Sequence, residues 1–484
     1  RLWNSMAFIQ FHDCITASHT DASYQELMQC CRDVYMGASQ ISDSALKALG
    51  DKITVKERSG WTPFIVFNPT SKEWSGLPLT AVVTAEKSFD GVEVADENGN
   101  MLHVAETVIQ NGVLDCRAEV KFSAALPPMG CSAFYWRPAR PKAPAAVGED
   151  EIENECYRVG RRSVYDKRLG RRILKNGARM LTLSGDFGHA WGRLKPEDNI
   201  VRLRETESTT ERGDGWSRLV LRGGYSNPER GVQMLNWKQT ITLYDDSDKI
   251  FYRTEIDWLG ENNRISADFP LDIDNGGAAY YEIPYGILKR PDAIEPTGQL
   301  GIEDEWPALN WFAVHDKDAD CSVVIFNRGT PGCRVKDGHM QLSLLRSPTV
   351  LEFANEGARD HGRHVFEYAV TSCAGTPENC DPVAFGLQYN TVTPSSAVEP
   401  KNAELPAIFS FISGTGGDIN ITAIKRDAEG NMILRAADTY GSGGTLHLPC
   451  AAAEVDPLEE KTLSGPSDTH VFRPFEIKTL RVMR

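Results

Sequence analysis

TITLYDDSDKIFYRTEIDW, residues 240–258, decides the fold class. β-Branched and aromatic residues alternate with polar ones on both sides of a DDSD turn, the pattern of two strands joined by a tight connection. Strands so joined run antiparallel. The same texture recurs in FIVFNP (64–69), TAVVTAE (80–86), SRLVLRG (217–223) and CSVVIFN (321–327), punctuated by turns such as DENGN (96–100) and NRGTPG (327–332). No long helical stripe interrupts it after residue 53. Many short strands without interleaved helices predict antiparallel β-sandwiches rather than a parallel α/β sheet. The expected fold is mainly β, with a short helical-bundle remnant at the N-terminus ahead of the sandwich domains.

The first 50 residues have the other period. Leu2, Met6 and Ile9 recur at helical spacing, and Tyr24, Leu27, Met28, Cys31, Val34, Ala38, Ile41, Ala45 and Ala48 form a second stripe. Thr20 or Asp21 can cap this second helix, and Gly50 can end it. Because RLWNSMAFIQF opens inside a helix, without initiator Met or signal pattern, the sequence reads as a truncated, cleaved or split polypeptide. Proline-rich stretches at 126–150 and 393–406 read as extended connectors. The layout expected is a bundle remnant over 1–52, a small β-sandwich over 53–145, a large one over 146–395 and a C-terminal β domain over 396–484.

Composition narrows the function classes. A chain of 484 residues exceeds a single core, and 41% hydrophobic with 25% charged residues is ordinary for a globular protein. The formal charge of −15 argues against nucleic acid or an anionic membrane as partner, because both need a basic footprint. No apolar run reaches the roughly 18–20 residues that cross a bilayer. Eleven cysteines, odd in number and without CxxC, predict reduced thiols in a cytoplasm rather than a disulfide framework.

Several motifs carry no chemistry on inspection. SGTGGD (413–418) lacks both GxGxxG spacing and a following helix, and reads as a hairpin turn. In DHGRH (360–364) a helix would let His361 and His364 share a metal, but the following VFEYAV alternates as a strand and separates them. QFHDCITASHTD (10–21) is different: His12 and Asp13 stand where a helix meets a loop. Imidazole can ligate zinc, and a carboxylate can accept hydroxyl hydrogens from a sugar. On spacing alone, two polar residues ending a helix explain the same stretch better, and one histidine does not make a metal site.

QFHD followed by the short loop CITASHT resembles the His-Asp motif of glycoside hydrolase family 38, the zinc-dependent retaining α-mannosidases, with Ala17 in place of the family's usual glycine. The order of further segments is similar to the family: VFNPTS (66–71), TLYDDSDKIFYRTEIDW (242–258), ADFP (267–270), EIPYG (282–286), KRP (289–291), LSLLRSP (342–348), DHGRHVFEYAV (360–370), ITAIKRDAEGNMILRAAD (421–438) and RPFEIKTLRV (473–482). The resemblance implies that His12 is one zinc ligand, that Asp13 contacts mannose hydroxyls, and that Arg346 reaches toward the active site. It also implies that an N-terminal catalytic half supplies the other ligands, the nucleophile and the acid/base. The implied reaction is double displacement on a mannose-containing oligosaccharide. A non-catalytic carbohydrate-binding or scaffolding β protein is the competing reading, since no complete acid/base pair stands in the chain. Homo-oligomerisation is left open by the sequence.

Overall fold

The computed structural model describes residues 2–15, 19–112, 115–148, 150–175, 180–188, 200–228, 231–291, 305–349, 356–412 and 415–483. The fold is mainly β: antiparallel sheets follow three helices at the N-terminal end. The chain forms two compact units, one of Arg1–Ser42, Pro144–Tyr281 and Lys289–Cys380, the other of Asp43–Ala143, Glu282–Leu288 and Asp381–Arg484. No helix among the described residues is long and apolar enough to cross a membrane.

In the first unit, Gln233–Tyr244 and Ile250–Trp258 pair antiparallel, Leu243 opposite Ile250 and Leu235 opposite Trp258. They lie inside a ten-stranded sheet, between Trp216–Ser226 and Gly362–Ala374. One side of the hairpin sends Leu235, Trp237, Ile241, Leu243, Ile250, Tyr252, Ile256 and Trp258 into a single core. That core also takes Leu181 and Leu183, Ile265, Ala267 and Phe269, and Met340, Leu342 and Leu345 from a six-stranded sheet, the arrangement of a sandwich. Two polar residues share the inward row, and the Tyr368 hydroxyl meets both. Its hydroxyl lies 2.9 Å from Gln239 Nε2, which donates to it, and 2.8 Å from Thr254 Oγ1.

The N-terminal helices are α1 (Leu2–Ile9), α2 (His12–Ile15) and α3 (Asp21–Gly50), the last belonging to this unit as far as Ser42. Ser23 N–H donates to Thr20 Oγ1, so Thr20 caps α3. Leu2 packs against Gly37, where an added Cβ would come within 2.9 Å of its methyl groups. The helical pattern over 1–15 is broken around Gln10 and Phe11, so His12 opens its own short turn instead of closing α1.

In the second unit the sequence expectations need two corrections. Gly130–Ala139, inside the supposed connector 126–150, is the central strand of a six-stranded sheet, and Ser395–Ala397, inside 393–406, is that sheet's edge. The prolines suggested linkers, yet only their flanks are irregular. Phe64, Val66, Phe134 and Trp136 pack on one side of this sheet with Leu79, Ala81, Val83, Ala118 and Val120 of a three-stranded sheet. Ile65, Cys131, Ala133 and Tyr135 pack on the other side with Leu46, Ile53 and Val398. Burial of both faces is why FIVF is continuously apolar and CSAFYW is broken only by the small Ser132. A third cluster, including Ile419, Leu434, Leu446 and Leu480, holds the C-terminal sheet. Thr415–Gly417 pairs there as a short strand, so this part of SGTGGD is not turn; Ser413 and Gly414 lie outside the described residues.

Cys373 and Cys380 form a disulfide between the end of a strand and the turn Pro377–Cys380, against the expectation of thiols throughout. The other nine cysteines are unpaired. Alkylation of the denatured, unreduced chain is therefore expected to label those nine cysteines and not the pair, as read by intact mass. Phe269, fully buried and edge-on to Tyr252 and Tyr368 at 5.8 and 5.9 Å, anchors the core of the first unit. Phe269→Ala should cost about 3–5 kcal/mol, seen as an earlier tryptophan-fluorescence transition in urea.

Candidate functional site

His12 and Asp13 stand together on α2. Their side chains are 75% and 46% exposed, with Nε2 and Oδ2 3.4 Å apart, and Phe11 lies against the imidazole at 4.2 Å between ring centres. An open imidazole beside an open carboxylate is donor chemistry that zinc accepts. Among the described residues, no group of three or more His, Cys, Asp or Glu is placed to hold a metal ion. Thr16, Ala17 and Ser18 of the adjoining loop lie outside the described residues.

Arg346 has a different setting, produced by a β-bulge. The strand His339–Arg346 pairs with Asn263–Pro270, and its register shifts between Ser266, opposite Ser343, and Ile265, opposite Leu345. Leu344 is the extra residue. Leu342, Leu344 and Leu345 all enter the core, and the phase change leaves Arg346 opposite Arg264 on the sheet's polar side. Strict alternation would have sent Arg346 into the core with Leu342 and Leu344; the bulge re-aims it.

On that side the guanidinium meets Asp186, just past the strand Leu181–Gly185. Arg346 Nε donates to Oδ2 at 2.7 Å and Nη2 donates to Oδ1 at 3.3 Å. Asp186 is fully buried and also accepts from Gly188 N–H at 3.0 Å. Asn262, at φ +54°, binds the neighbouring strand ends. Its carbonyl accepts from Asp186 N–H, its own N–H donates to Ser347 O, and its Oδ1 accepts from Thr349 N–H and hydroxyl. Asparagine is among the few residues that tolerate this left-handed conformation.

The same face holds Arg264, only 3% exposed and paired with Glu305. Burial pulls Arg264 below the ordinary guanidinium value. Glu305 and Asp186 oppose that shift, and Arg334 and Arg346 add to it. Further along, the buried Asp268 accepts from His339 Nδ1 at 2.9 Å and from Arg202 Nη1 at 3.1 Å. Asp186, Glu305 and Arg264 escape sequence reasoning because their partners lie 41 to 160 residues away. One local signal was available: the doubled leucine in LSLLR, which breaks alternation at the bulge.

A groove of about 620 Å3 opens over the hairpin sheet, lined by Arg222, Asn236, Lys238, Glu255, Asp257 and Arg363 among others. Its charges mostly neutralise one another. Glu255 accepts from Arg363 at 2.5 Å and lies 3.5 Å from Lys238 and from Arg253. Partial burial works to raise its pKa, but the Arg363 hydrogen bond and the nearby cations hold it below the usual carboxylate range.

Residues 152–351 match the family described as Glycosyl hydrolases family 38 C-terminal domain. Over that stretch the chain is similar to the family 38 C-terminal domain. It is 23% identical to alpha-mannosidase G of Dictyostelium discoideum over 99% of this chain and 48% of that protein. It is 25% identical to mouse alpha-mannosidase 2C1 over 46% of this chain and 21% of that protein. It thus spans about half the length of the first of these curated relatives. An alpha-mannosidase from Enterococcus faecalis V583 superimposes with a TM-score of 0.80 at 16% identity, over 100% of this chain and 63% of that one. At that identity the likeness establishes the fold alone.

The DHGRH histidines do not face each other as a pair. His361 lies before the strand Gly362–Ala374 and His364 within it. The Nε2 of His361 is 2.9 Å from Gly260 O and that of His364 is 2.8 Å from Asp360 O. A carbonyl partner requires each Nε2 to carry the hydrogen, which removes that atom as a ligand. His361→Ala and His364→Ala should each leave zinc content, measured by mass spectrometry of the metal, within about 10% of the parent protein, as expected for histidines satisfied by backbone.

Proposed function

We propose that this chain is the C-terminal part of a zinc-dependent retaining α-mannosidase that hydrolyses α-linked mannose from glycans or mannosides. The observation that carries the proposal is the likeness to alpha-mannosidase G along 99% of the chain, joined to the match with the family 38 C-terminal domain. The rest of the catalytic machinery is assigned to the half of such relatives that this chain does not span. The surroundings of His12 favour a partner: Trp3, Phe8, Phe11 and Ile15 are 81%, 62%, 49% and 68% exposed, an apolar surface that water alone serves poorly.

In this reading His12 would hold the zinc through a ring nitrogen. Bound zinc would supply electrostatic grip on adjacent sugar hydroxyls. Asp13 accepts hydrogen bonds from mannose hydroxyls, as an ionised carboxylate with no hydrogen of its own must. Arg346 donates from its free edge to a substrate oxygen. The N-terminal half brings a carboxylate nucleophile and a carboxylic acid that protonates the leaving oxygen and then activates water, giving net retention. The same proposal divides the chain into domains at 1–52, 53–145, 146–395 and 396–484, and places it in the cytoplasm on the strength of nine unpaired cysteines.

The test uses the full-length protein with an α-mannoside substrate and metal analysis. His12→Ala should remove bound zinc and lower kcat/KM by about a hundredfold or more, beyond the 10–100-fold typical of residues behind a metal ligand. Asp13→Asn should keep the zinc and lose activity. Unchanged zinc and activity in His12→Ala would end the assignment.

A further inference from the structure

We infer that Asp186 is a positioning and specificity residue: it fixes the Arg346 guanidinium by two hydrogen bonds and compensates its charge, so that Arg346 addresses neutral hydroxyls rather than anions. The inference rests on the proposed contact between Arg346 and substrate.

This pair belongs, with Arg168–Asp166 and Arg202–Asp268, to a minority among the surface ion pairs. Most of those join side chains that are both open to water, such as Lys52–Glu404 at 60% and 77% exposure. Here the carboxylate is fully buried while the arginine is 27% exposed. Asp186 therefore has little freedom, and its backbone N–H is tied to Asn262. Arg346 is aimed by the Leu344 bulge, and Asn262 also fixes the chain directly after it, at Ser347 and Thr349. Both partners thus hang from one corner of the six-stranded sheet. Asp186 occupies Nε and one Nη2 hydrogen of Arg346, and among the described residues Nη1 has no hydrogen-bond partner. A planar guanidinium held along one edge presents its other edge in a set direction.

Charge decides what that edge selects. Arg334 and Arg346 act on Arg264 here, against Glu305 and Asp186. With all ionised the group carries one net positive charge; without the Asp186 charge it carries two. In a water-poor setting that second charge would draw in a small anion. Asp186 keeps the site nearer neutrality, where a mannose hydroxyl can accept from Arg346 without competing against phosphate or sulfate.

The experiment uses the full-length enzyme and Asp186→Asn, an isosteric change that keeps an acceptor and removes the charge. At constant ionic strength, KM for a neutral α-mannoside should rise about threefold or more, with kcat changing less, the pattern of lost ground-state binding. Inhibition by inorganic sulfate should strengthen at least about threefold, since an uncompensated arginine attracts anions. Both effects should shrink in the Arg346→Gln background. A purely structural Asp186 would lower the melting temperature and active fraction without strengthening sulfate inhibition, and that result overturns the inference. Should Asp186→Asn fold poorly, Arg346→Lys provides the second measurement. It retains the charge but loses the fork, and should raise KM while leaving sulfate inhibition within about twofold. If Arg346→Gln alone leaves KM, kcat and sulfate inhibition unchanged, the substrate contact of Arg346 is wrong and the inference falls with it. If Arg346→Gln is damaging but Asp186→Asn is silent, only the role of Asp186 is wrong.

Discussion

The register of the hairpin Gln233–Tyr244 with Ile250–Trp258 is the constraint on which the first unit depends. Its side chains alternate, so a slip of one residue would carry Leu235, Trp237, Ile241 and Leu243 to the wrong face and bring Asn236 and Lys238 into the core. The inward row is not purely apolar, which sharpens the constraint. Gln239 and Thr254 lie opposite each other in it, and Gln239 Nε2 and Thr254 Oγ1 meet the Tyr368 hydroxyl in this register. A buried polar group without its partner costs on the order of 1–3 kcal/mol, so the Gln239–Thr254–Tyr368 contact penalises alternative registers beyond what hydrophobicity alone would do.

From that register follows the placement of the strands that bear the candidate site. Tyr252 and Tyr368 stack 5.2 Å apart, and Phe269 stands edge-on to both. Phe269 belongs to Asn263–Pro270, whose other face displays Arg264, Ser266 and Asp268. Packing of one face thus fixes the polar geometry of the other. Arg264, Ser266 and Asp268 are themselves nearly buried, so each needs a partner, and Glu305, Arg202 and His339 meet that need for the charged ones.

Local pattern exposed much of this in the sequence, but long-range pairing did not. Alternation around DDSD identified the antiparallel sheet, and the 3.6-residue stripe identified α3. The reading failed where prolines outweighed an apolar run: GCSAFYWRPA is a central strand, buried on both faces, which a connector would not need to be. It also missed how Arg346 is aimed, because strict alternation along HMQLSLLR predicts the wrong face. Only a bulge accommodates both leucines in the core, and the doubled Leu344–Leu345 records it. The partners Asp186 and Glu305 leave no comparable mark, since their contacts cross 160 and 41 residues.

His12 and Arg346 embody opposite solutions to holding a functional side chain. Arg346 is pre-oriented by a bulge, a buried carboxylate and a left-handed asparagine, so little rotamer freedom remains to be lost when it meets a ligand. His12 sits on a four-residue helical turn, with most of its side chain in water and Asp13 as a neighbour. If a metal is shared with groups outside this chain, that openness is what assembly requires: the rigid sheet supplies direction, and the exposed turn supplies a ligand that can still adjust. The two residues carry different burdens, so a substitution at Asp186 and one at His12 should not be interchangeable in effect. On the proposed reading, the first would alter how a bound sugar is read, and the second whether a metal is held.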